Sequence, residues 1–240
     1  MPTRRLTGEV EQFRQHGFTF VPDLIPGDAV ESLRVIYDEV LDGKVDCGEN
    51  DRMLGGITRQ VMQPRLHHPG LADHPVFEAA RTRCGELLGC ADPRGGYDMM
   101  IFKPAGHDKT TPWHQDFAYF QQPFTPAGSQ PANAGVQVWV AVDAADVENG
   151  CMHFVPDTHA EPLLEHHIAS GDPEYEGRLL AIVDPDRNLD LASVVACPLP
   201  AGGATFHTDG TPHFTPENRS ADRPRRAYIM NFFDPGRLAQ

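Results

Sequence analysis

The segment "TPWHQDFAYF", Thr111–Phe120, places a histidine and an aspartate one residue apart among large apolar side chains. In an extended segment alternate side chains project to one face, so His114 and Asp116 point the same way while Gln115 points away. An imidazole nitrogen and a carboxylate oxygen then come within reach of one ion. The spacing predicts either part of a metal site or a buried His–Asp hydrogen bond.

A third ligand should come from a distant strand, and His213 in "TDGTPHFTPEN" is the best placed candidate. Two histidines and one carboxylate on one side of an ion leave its other positions free. Non-haem Fe(II) oxygenases use this ligand set. The three side chains therefore predict an open metal centre.

An arginine pair stands directly ahead of an apolar strand in "HFTPENRSADRPRRAYIMNFF". An arginine that enters a barrel can hold a carboxylate through two parallel N–H···O bonds, and a hydroxyl such as that of Thr215 can bond the same group. Because side chains alternate along a strand, only one of Arg225 and Arg226 can face inward. The pattern predicts a site for an organic acid.

The hydrophobic pattern of the sequence changes after Gly95, where short segments begin that are wholly apolar or alternate between apolar and polar residues. Six of them, bounded by Gly, Pro, Asp and Asn, predict antiparallel strands in a barrel or two-sheet sandwich; they are "YDMMIFKP", "GVQVWVAV", "CMHFVP", "SVVACPL", "ATFHT" and "AYIMNFF". Helical periodicity precedes them. We expect one domain over residues 1–240, with a mostly helical flank in 1–95, a β core in 96–240, and a lid or insert loop in 157–192.

Composition narrows the class of protein. The 240 residues include 40% hydrophobic and 22% charged residues, which suits one globular domain. The net charge of −14 argues against nucleic-acid and membrane partners, since both need an excess of Lys and Arg. Five cysteines, without a CxxC pair, and an N-terminus without a signal-peptide pattern predict a cytoplasmic protein. The sequence leaves the oligomeric state open.

Three motifs in order resemble the phytanoyl-CoA dioxygenase family of Fe(II)/2-oxoglutarate oxygenases. They are "PWHQDFAYF", "VWVAVDAADVENGCMHFVPDTH" and "HFTPENRSADRPRRAY", and the opening "FRQHGFTFVPDLI" also resembles the usual start of the family. The resemblance implies a mainly β fold, a double-stranded β-helix (cupin-like jelly roll) with N-terminal helices on its outside. It also implies Fe(II), 2-oxoglutarate and O2 as cofactor and co-substrates.

Carried over by position, the resemblance implies that His114, Asp116 and His213 are the iron ligands. Arg225 would pair with the distal carboxylate of 2-oxoglutarate, and Thr215 would support that bond. Arg225 lies one residue further from the second histidine than is usual in the family. Arg226 therefore remains the alternative partner for that carboxylate.

Further positions match residues that line the co-substrate pocket of family members. These are Met99, Lys103 and Trp139; plain core packing would explain Met99 and Trp139 equally well, whereas a lysine on that strand face needs an anion. A second group could contact the substrate, namely Arg59, Gln63, Phe117 and His207.

The family implies oxidation, most simply hydroxylation, of an unactivated C–H bond in a small molecule, with release of succinate and CO2. We expect a natural-product or secondary-metabolite intermediate as substrate. The carboxylate of Asp116 argues against halogenation, because related halogenases have Ala or Gly there. Two alternatives stay open: a cupin-type metal hydrolase or isomerase, and a jelly-roll binding module without turnover.

Overall fold

A computed structural model of the chain describes residues 7–54, 58–121, 124–169 and 179–238. Within these ranges the helices are α1 (Thr7–His16), α2 (Gly27–Leu41), α3 (Pro69–Ala72), α4 (Pro75–Leu88), α5 (Pro185–Asn188) and α6 (Pro235–Leu238). The strands are β1 (Phe18–Val21), β2 (Asp51–Leu54), β3 (Thr58–Met62), β4 (Arg94–Lys103), β5 (Thr111–His114), β6 (Gly135–Ala141), β7 (Met152–Phe154), β8 (His166–Ile168), β9 (Leu180–Ile182), β10 (Val195–Cys197), β11 (Ala204–Thr208), β12 (His213–Thr215) and β13 (Arg225–Phe233).

Two antiparallel sheets face each other. The larger has the order β1-β11-β6-β13-β4-β3-β2 and the smaller the order β10-β7-β12-β5. Their facing sides bury one apolar cluster that includes Phe18, Trp139 and Ile229 from the large sheet and Met152 and Phe154 from the small one. All six predicted strand segments are strands, and the predicted mainly β jelly-roll class is confirmed.

Helices cover the outer face of the large sheet. Leu33 and Tyr37 of α2 and Val76 and Leu87 of α4 are almost fully buried in a core shared with the outward side chains of β6, such as Val138. Burying four such side chains contributes several kcal/mol, at about 1.5–3 kcal/mol each. Among the described residues no helix is both long and apolar enough to cross a membrane.

The first 95 residues supply strands as well as helices. β1 forms one edge of the large sheet, while β2 and β3 extend it at the other end. Thus the N-terminal part completes the sheet that carries the site as well as covering it.

The predicted lid region, 157–192, has regular structure of its own. β8 and β9 pair as a two-stranded sheet, with His166 opposite Ile182, and α5 follows. Residues 170–178 of this region lie outside the described residues. The strand β9 also packs against β5, so this region touches the strand that carries the first histidine of the site.

Candidate functional site

The three predicted ligands meet at one end of the small sheet. β5 ends at His114 and β12 begins at His213, and these two residues are direct cross-strand partners. Asp116 begins a 3-10 helix, but Gln115 before it is still extended, so His114 and Asp116 share a face as predicted. The Asp116 carboxylate oxygens lie 3.7 Å from His114 Nε2 and 3.8 Å from His213 Nε2. The three ligand atoms all lie within 4.8 Å of one another.

Both histidines present a free nitrogen lone pair to this point. The Nδ1–H of His114 donates to the carbonyl of Pro112 at 2.8 Å, and that of His213 donates to the carbonyl of Thr211 at 2.9 Å. The Nε2 atoms are therefore unprotonated and face Asp116. Burial lowers the pKa of both rings, which keeps them neutral and able to bind a metal.

Asp116 has a further imidazole partner. His207 of β11, which is buried and lines the cavity, donates from Nε2 to Asp116 Oδ2 at 3.2 Å. Burial by itself would raise the pKa of Asp116, but the hydrogen bond from His207 holds it well below its usual value. The carboxylate is therefore ionised, as a hard cation requires.

A cavity of about 470 Å³, including its open mouth, lies between the two sheets beside this cluster. Besides the three predicted ligands it is lined by Tyr97, Met99, Ile101, Thr111, Gln137, Trp139, Met152, His207, Thr215, Arg225 and Ile229.

Arg225 enters this cavity from the first position of β13. It is 1% exposed, its guanidinium carbon lies 5.4 Å from the centre of the Trp139 ring, and its Nε and Nη2 have no hydrogen-bond partner among the described residues. Burial lowers its pKa to about 10, which still leaves it a cation at neutral pH. A buried cation with two unpaired N–H groups needs an anion, and a carboxylate offers two oxygens in matching geometry.

Arg226 lies on the opposite face of the same strand. Its Nε and Nη2 donate to both oxygens of Asp143, at 2.8 and 2.7 Å, and its Nη1 donates to Asp38 of α2 at 2.6 Å. Strand alternation thus separates the two arginines, and the second one holds α2 onto the sheet.

Lys103 and Thr215 lie next to each other behind the arginine. Lys103 is fully buried but is not among the residues that line the cavity. Its Nζ bonds the Thr215 hydroxyl at 3.0 Å and the carbonyl of Pro216 at 2.7 Å, so neutral oxygens stand where we expected an anion. Burial, and secondly the charge of Arg225, lower its pKa to about 6. Thr215 itself does line the cavity.

Arg59 and Gln63, predicted at the pocket, lie elsewhere. Arg59 points to the helical side of the large sheet, where it pairs with both oxygens of Asp51 at 3.0 and 2.7 Å. Gln63 is exposed beyond the end of β3 with a φ of 49°. The cavity side of β3 carries Gln60 instead, which donates to the sulfur of Met99 at 3.0 Å. The alignment of this segment with family members is loose, so the prediction assigned the wrong residues of β3 to the pocket.

The aromatic residues near the aspartate take different positions. Phe117 contacts Phe120 in the 3-10 helix, with ring centres 5.4 Å apart, and packs on the cluster around Leu163 and Leu180, outside the set that lines the cavity. Tyr119 and Phe120 are exposed. The apolar wall of the cavity is built mainly from strand residues such as Met152 and Ile229.

Sequence reasoning missed a polar chain at the other end of the cavity. The Tyr97 hydroxyl donates to Gln137 Oε1 at 3.0 Å, and Gln137 Nε2 donates to Asp209 Oδ1 at 3.2 Å. Burial, and secondly the charge of Asp116, raise the pKa of Asp209 to about 6. The alternation of side chains along β4 and β6 could have predicted two of these residues. Tyr97 and Gln137 each lie two residues from a predicted pocket residue and therefore on the same face of the strand.

The comparisons with known proteins agree with this geometry. A methylphosphonate hydroxylase from Gimesia maris is 25% identical over 236 residues, which cover 97% of this chain and 82% of that one. The crystal structure of EvdO2 from Micromonospora carbonacea complexed with 2-oxoglutarate is 30% identical, covers 98% of this chain and 93% of that one, and superposes with a TM-score of 0.78. SnoK, a carbocyclase from nogalamycin biosynthesis, shares the fold at 24% identity, with a TM-score of 0.69 over 98% of this chain and 87% of that one.

The match to curated phytanoyl-CoA dioxygenases is partial in length. It covers 57% of the protein from Caenorhabditis elegans and 22% of the bovine one. The pattern of the family itself matches residues 13–227, which is most of the chain. The protein therefore belongs to the phytanoyl-CoA dioxygenase (PhyH) family, whose members are Fe(II)- and 2-oxoglutarate-dependent oxygenases.

Proposed function

We propose that this protein is an Fe(II)/2-oxoglutarate-dependent oxygenase in which His114, Asp116 and His213 hold the iron. Arg225 and Thr215 would bind the distal carboxylate of 2-oxoglutarate. One observation carries the proposal: a triad of metal-binding atoms and a buried arginine with unpaired donors line the same cavity.

The donor set fits the metal. Two neutral imidazoles and one carboxylate suit Fe(II), and because they approach from one side they leave positions for a keto acid and O2. When bound, Fe(II) and 2-oxoglutarate supply the activation of O2 and the oxidation of a C–H bond, with release of succinate and CO2. The protein orients these groups, and Trp139, Met152 and Ile229 keep water out of the cavity.

We place the substrate at the end of the cavity formed by Tyr97, Gln137 and His207, away from Arg225. A hydroxylation of a small secondary-metabolite intermediate is the reaction we favour. It is supported by the relatives named as a hydroxylase and as an enzyme of antibiotic biosynthesis. The polar groups at this end, Tyr97 and Gln137, suit a substrate that carries hydroxyl or amide groups.

The two adjacent arginines provide a matched test. Arg225→Ala should raise the dissociation constant of 2-oxoglutarate by about one to two orders of magnitude, since a charge-assisted bond contributes about 1.5–3 kcal/mol. Arg226→Ala should leave it unchanged below the unfolding temperature of the variant. The constant is read from the visible absorption of the anaerobic Fe(II)·2-oxoglutarate complex. A rise for Arg226→Ala alone would contradict the assignment.

Two rival functions are tested by the same preparation. A metal hydrolase or isomerase with these ligands leaves Arg225 without a partner, and it would show no visible band on anaerobic addition of Fe(II) and 2-oxoglutarate. A binding module would form no succinate. Succinate release coupled to O2 consumption, followed by mass analysis of candidate substrates for one added oxygen, excludes both.

A further inference from the structure

Gln115, between two of the proposed ligands, is 1% exposed and is not among the residues that line the cavity. Its side chain bridges two other segments. Nε2 donates to the carbonyl of Gly210 at 2.8 Å, and Oε1 accepts the backbone N–H of Leu164 at 3.1 Å. Gly210 lies in the turn that leads into β12 and His213, whereas Leu164 lies in the 157–192 region. One amide therefore links three parts of the chain.

The backbone of Gln115 is bonded as well, through a buried histidine. Its N–H donates to Nε2 of His166 at 3.2 Å, and the Nδ1–H of His166 donates to the carbonyl of Leu164 at 2.8 Å. His166 is 4% exposed, and burial lowers its pKa to about 4. The ring is therefore neutral, with its lone pair on Nε2, and acts as an acceptor for a backbone N–H that water cannot reach.

These bonds control where Asp116 points. The N–H of Gln115 belongs to the peptide between His114 and Gln115, and the N–H of Phe117, which follows Asp116, donates to the carbonyl of Asp209 at 2.9 Å. With both of these amides bonded, the Gln115–Asp116 backbone between them has little freedom to rotate. Asp116 itself has an imidazole on one carboxylate oxygen, so backbone and side chain are constrained independently.

We propose that His166 and Gln115 are positioning residues that hold the His114–Asp116 turn in metal-binding geometry. They also connect the strand β8 of the 157–192 region to the metal centre. The inference rests on the proposed iron site. Neither side chain is among the residues that line the cavity where the metal and co-substrate would bind, so both would act through the backbone of the ligand-bearing turn.

The test compares two substitutions of His166 with one of its neighbour. His166→Leu cannot accept the Gln115 N–H, whereas His166→Gln places a carbonyl oxygen near the former Nε2. His167→Leu, on the exposed side of β8, is the control. Co(II) alone is titrated into each folded protein, and its visible absorption spectrum is recorded. Outer partners of metal ligands typically change metal affinity by about 10–100-fold.

We expect His166→Leu to weaken Co(II) binding by about 10–100-fold and to change the Co(II) spectrum. His166→Gln should restore both to near the wild-type values, and His167→Leu should not differ from wild type. A folded His166→Leu protein with wild-type affinity and spectrum would overturn the inference. So would a His166→Gln protein as impaired as His166→Leu.

If His166→Leu does not fold, Gln115→Met tests the part of the proposal that rests on the Gln115 side chain, because it removes the bonds to Gly210 and Leu164 and keeps the backbone N–H that bonds His166. Methionine has nearly the shape of glutamine but makes neither side-chain bond, so affinity should fall and the spectrum should change. Unchanged Co(II) binding in Gln115→Met would contradict the proposal. A wild-type protein that binds no metal would instead refute the proposed function itself.

Discussion

Asp116 lies among three imidazole rings, and these differ in which nitrogen carries the proton. In His114 and His213 the Nδ1–H is bonded to a backbone carbonyl two residues earlier, so Nε2 is free for a metal. In His207 the Nε2 donates to Asp116, and Nδ1 has no partner among the described residues. The hydrogen bonds therefore distinguish the two proposed ligand histidines from a third that orients the carboxylate.

This difference gives a prediction for His207. His207→Leu should lower Fe(II) affinity by about 10–100-fold, because the carboxylate loses a donor that fixes its orientation. Affinity for 2-oxoglutarate at saturating metal should stay close to wild type, since Arg225 is untouched. Separate titrations of Fe(II) and 2-oxoglutarate measure the two effects. An equal loss of both would mean that His207 supports the whole cavity instead.

At the scale of elements, alternation along strands decides which side chains reach the cavity. On β13 it directs Arg225 into the cavity and Arg226 toward α2, and on β3 it directs Gln60 toward Met99 and Arg59 to the helical side of the sheet. Within the small sheet β12 pairs with β5, so that His213 is opposite His114. The positions of the site residues therefore depend on which strands pair and in what register.

The end of α1 is also tied to the turn that leads into β12 and His213. Gly17 has a φ of +80°, and its carbonyl accepts the Thr208 N–H at 3.0 Å and the Thr211 hydroxyl at 2.8 Å. A β-carbon there would lie 2.5 Å from His159 and 2.7 Å from Thr211 Oγ1. Gly43, after α2, has a φ of +70° but nothing within 4 Å of an added β-carbon.

We therefore expect the two glycines to respond differently to alanine. Gly43→Ala should cost about 1–2 kcal/mol of unfolding free energy, the strain of a left-handed residue. Gly17→Ala should cost clearly more, because contacts with His159 and Thr211 add to the same strain. Urea unfolding of both variants measures the difference. Equal losses would show that the chain around Gly17 adjusts freely.

At the scale of the whole molecule, the site depends on both sheets and on the region outside them. The proposed ligands come from the small sheet and from the 3-10 helix that follows β5, Arg225 and His207 come from the large sheet, and His166 comes from the β8–β9 pair. A chain carrying a net charge of −14 would repel a dicarboxylate at long range, so the cation that attracts it must be local. In the proposed function Arg225 would supply that cation inside the cavity.

Ligands that bridge these parts should stabilise the fold. At one hundred times its dissociation constant, Co(II) as a stand-in for Fe(II) should add about 2.7 kcal/mol, which corresponds to a rise in Tm of roughly 5–11 °C for a domain of this size. Asp116→Ala should lose this rise. Calorimetry with and without metal makes the comparison. A metal-dependent rise that persists in Asp116→Ala would place the ion elsewhere.

The amino-acid sequence by itself determined the local features of this protein. The spacing in "WHQDF" put two proposed ligands on one face, the alternating segments after Gly95 marked the strands, and the three ordered motifs identified the family. These features depend on neighbouring residues, because side-chain direction in extended chain follows from backbone geometry alone.

The tertiary structure decided everything that depends on which strands pair and in what register. It selected Arg225 over Arg226, directed Lys103 to Thr215 and Pro216 instead of to an anion, and placed His166 behind the ligand-bearing turn. Each of these contacts joins residues far apart in the chain. A shift of one residue in a single strand would turn every one of its side chains to the other face, so sequence spacing alone cannot settle them.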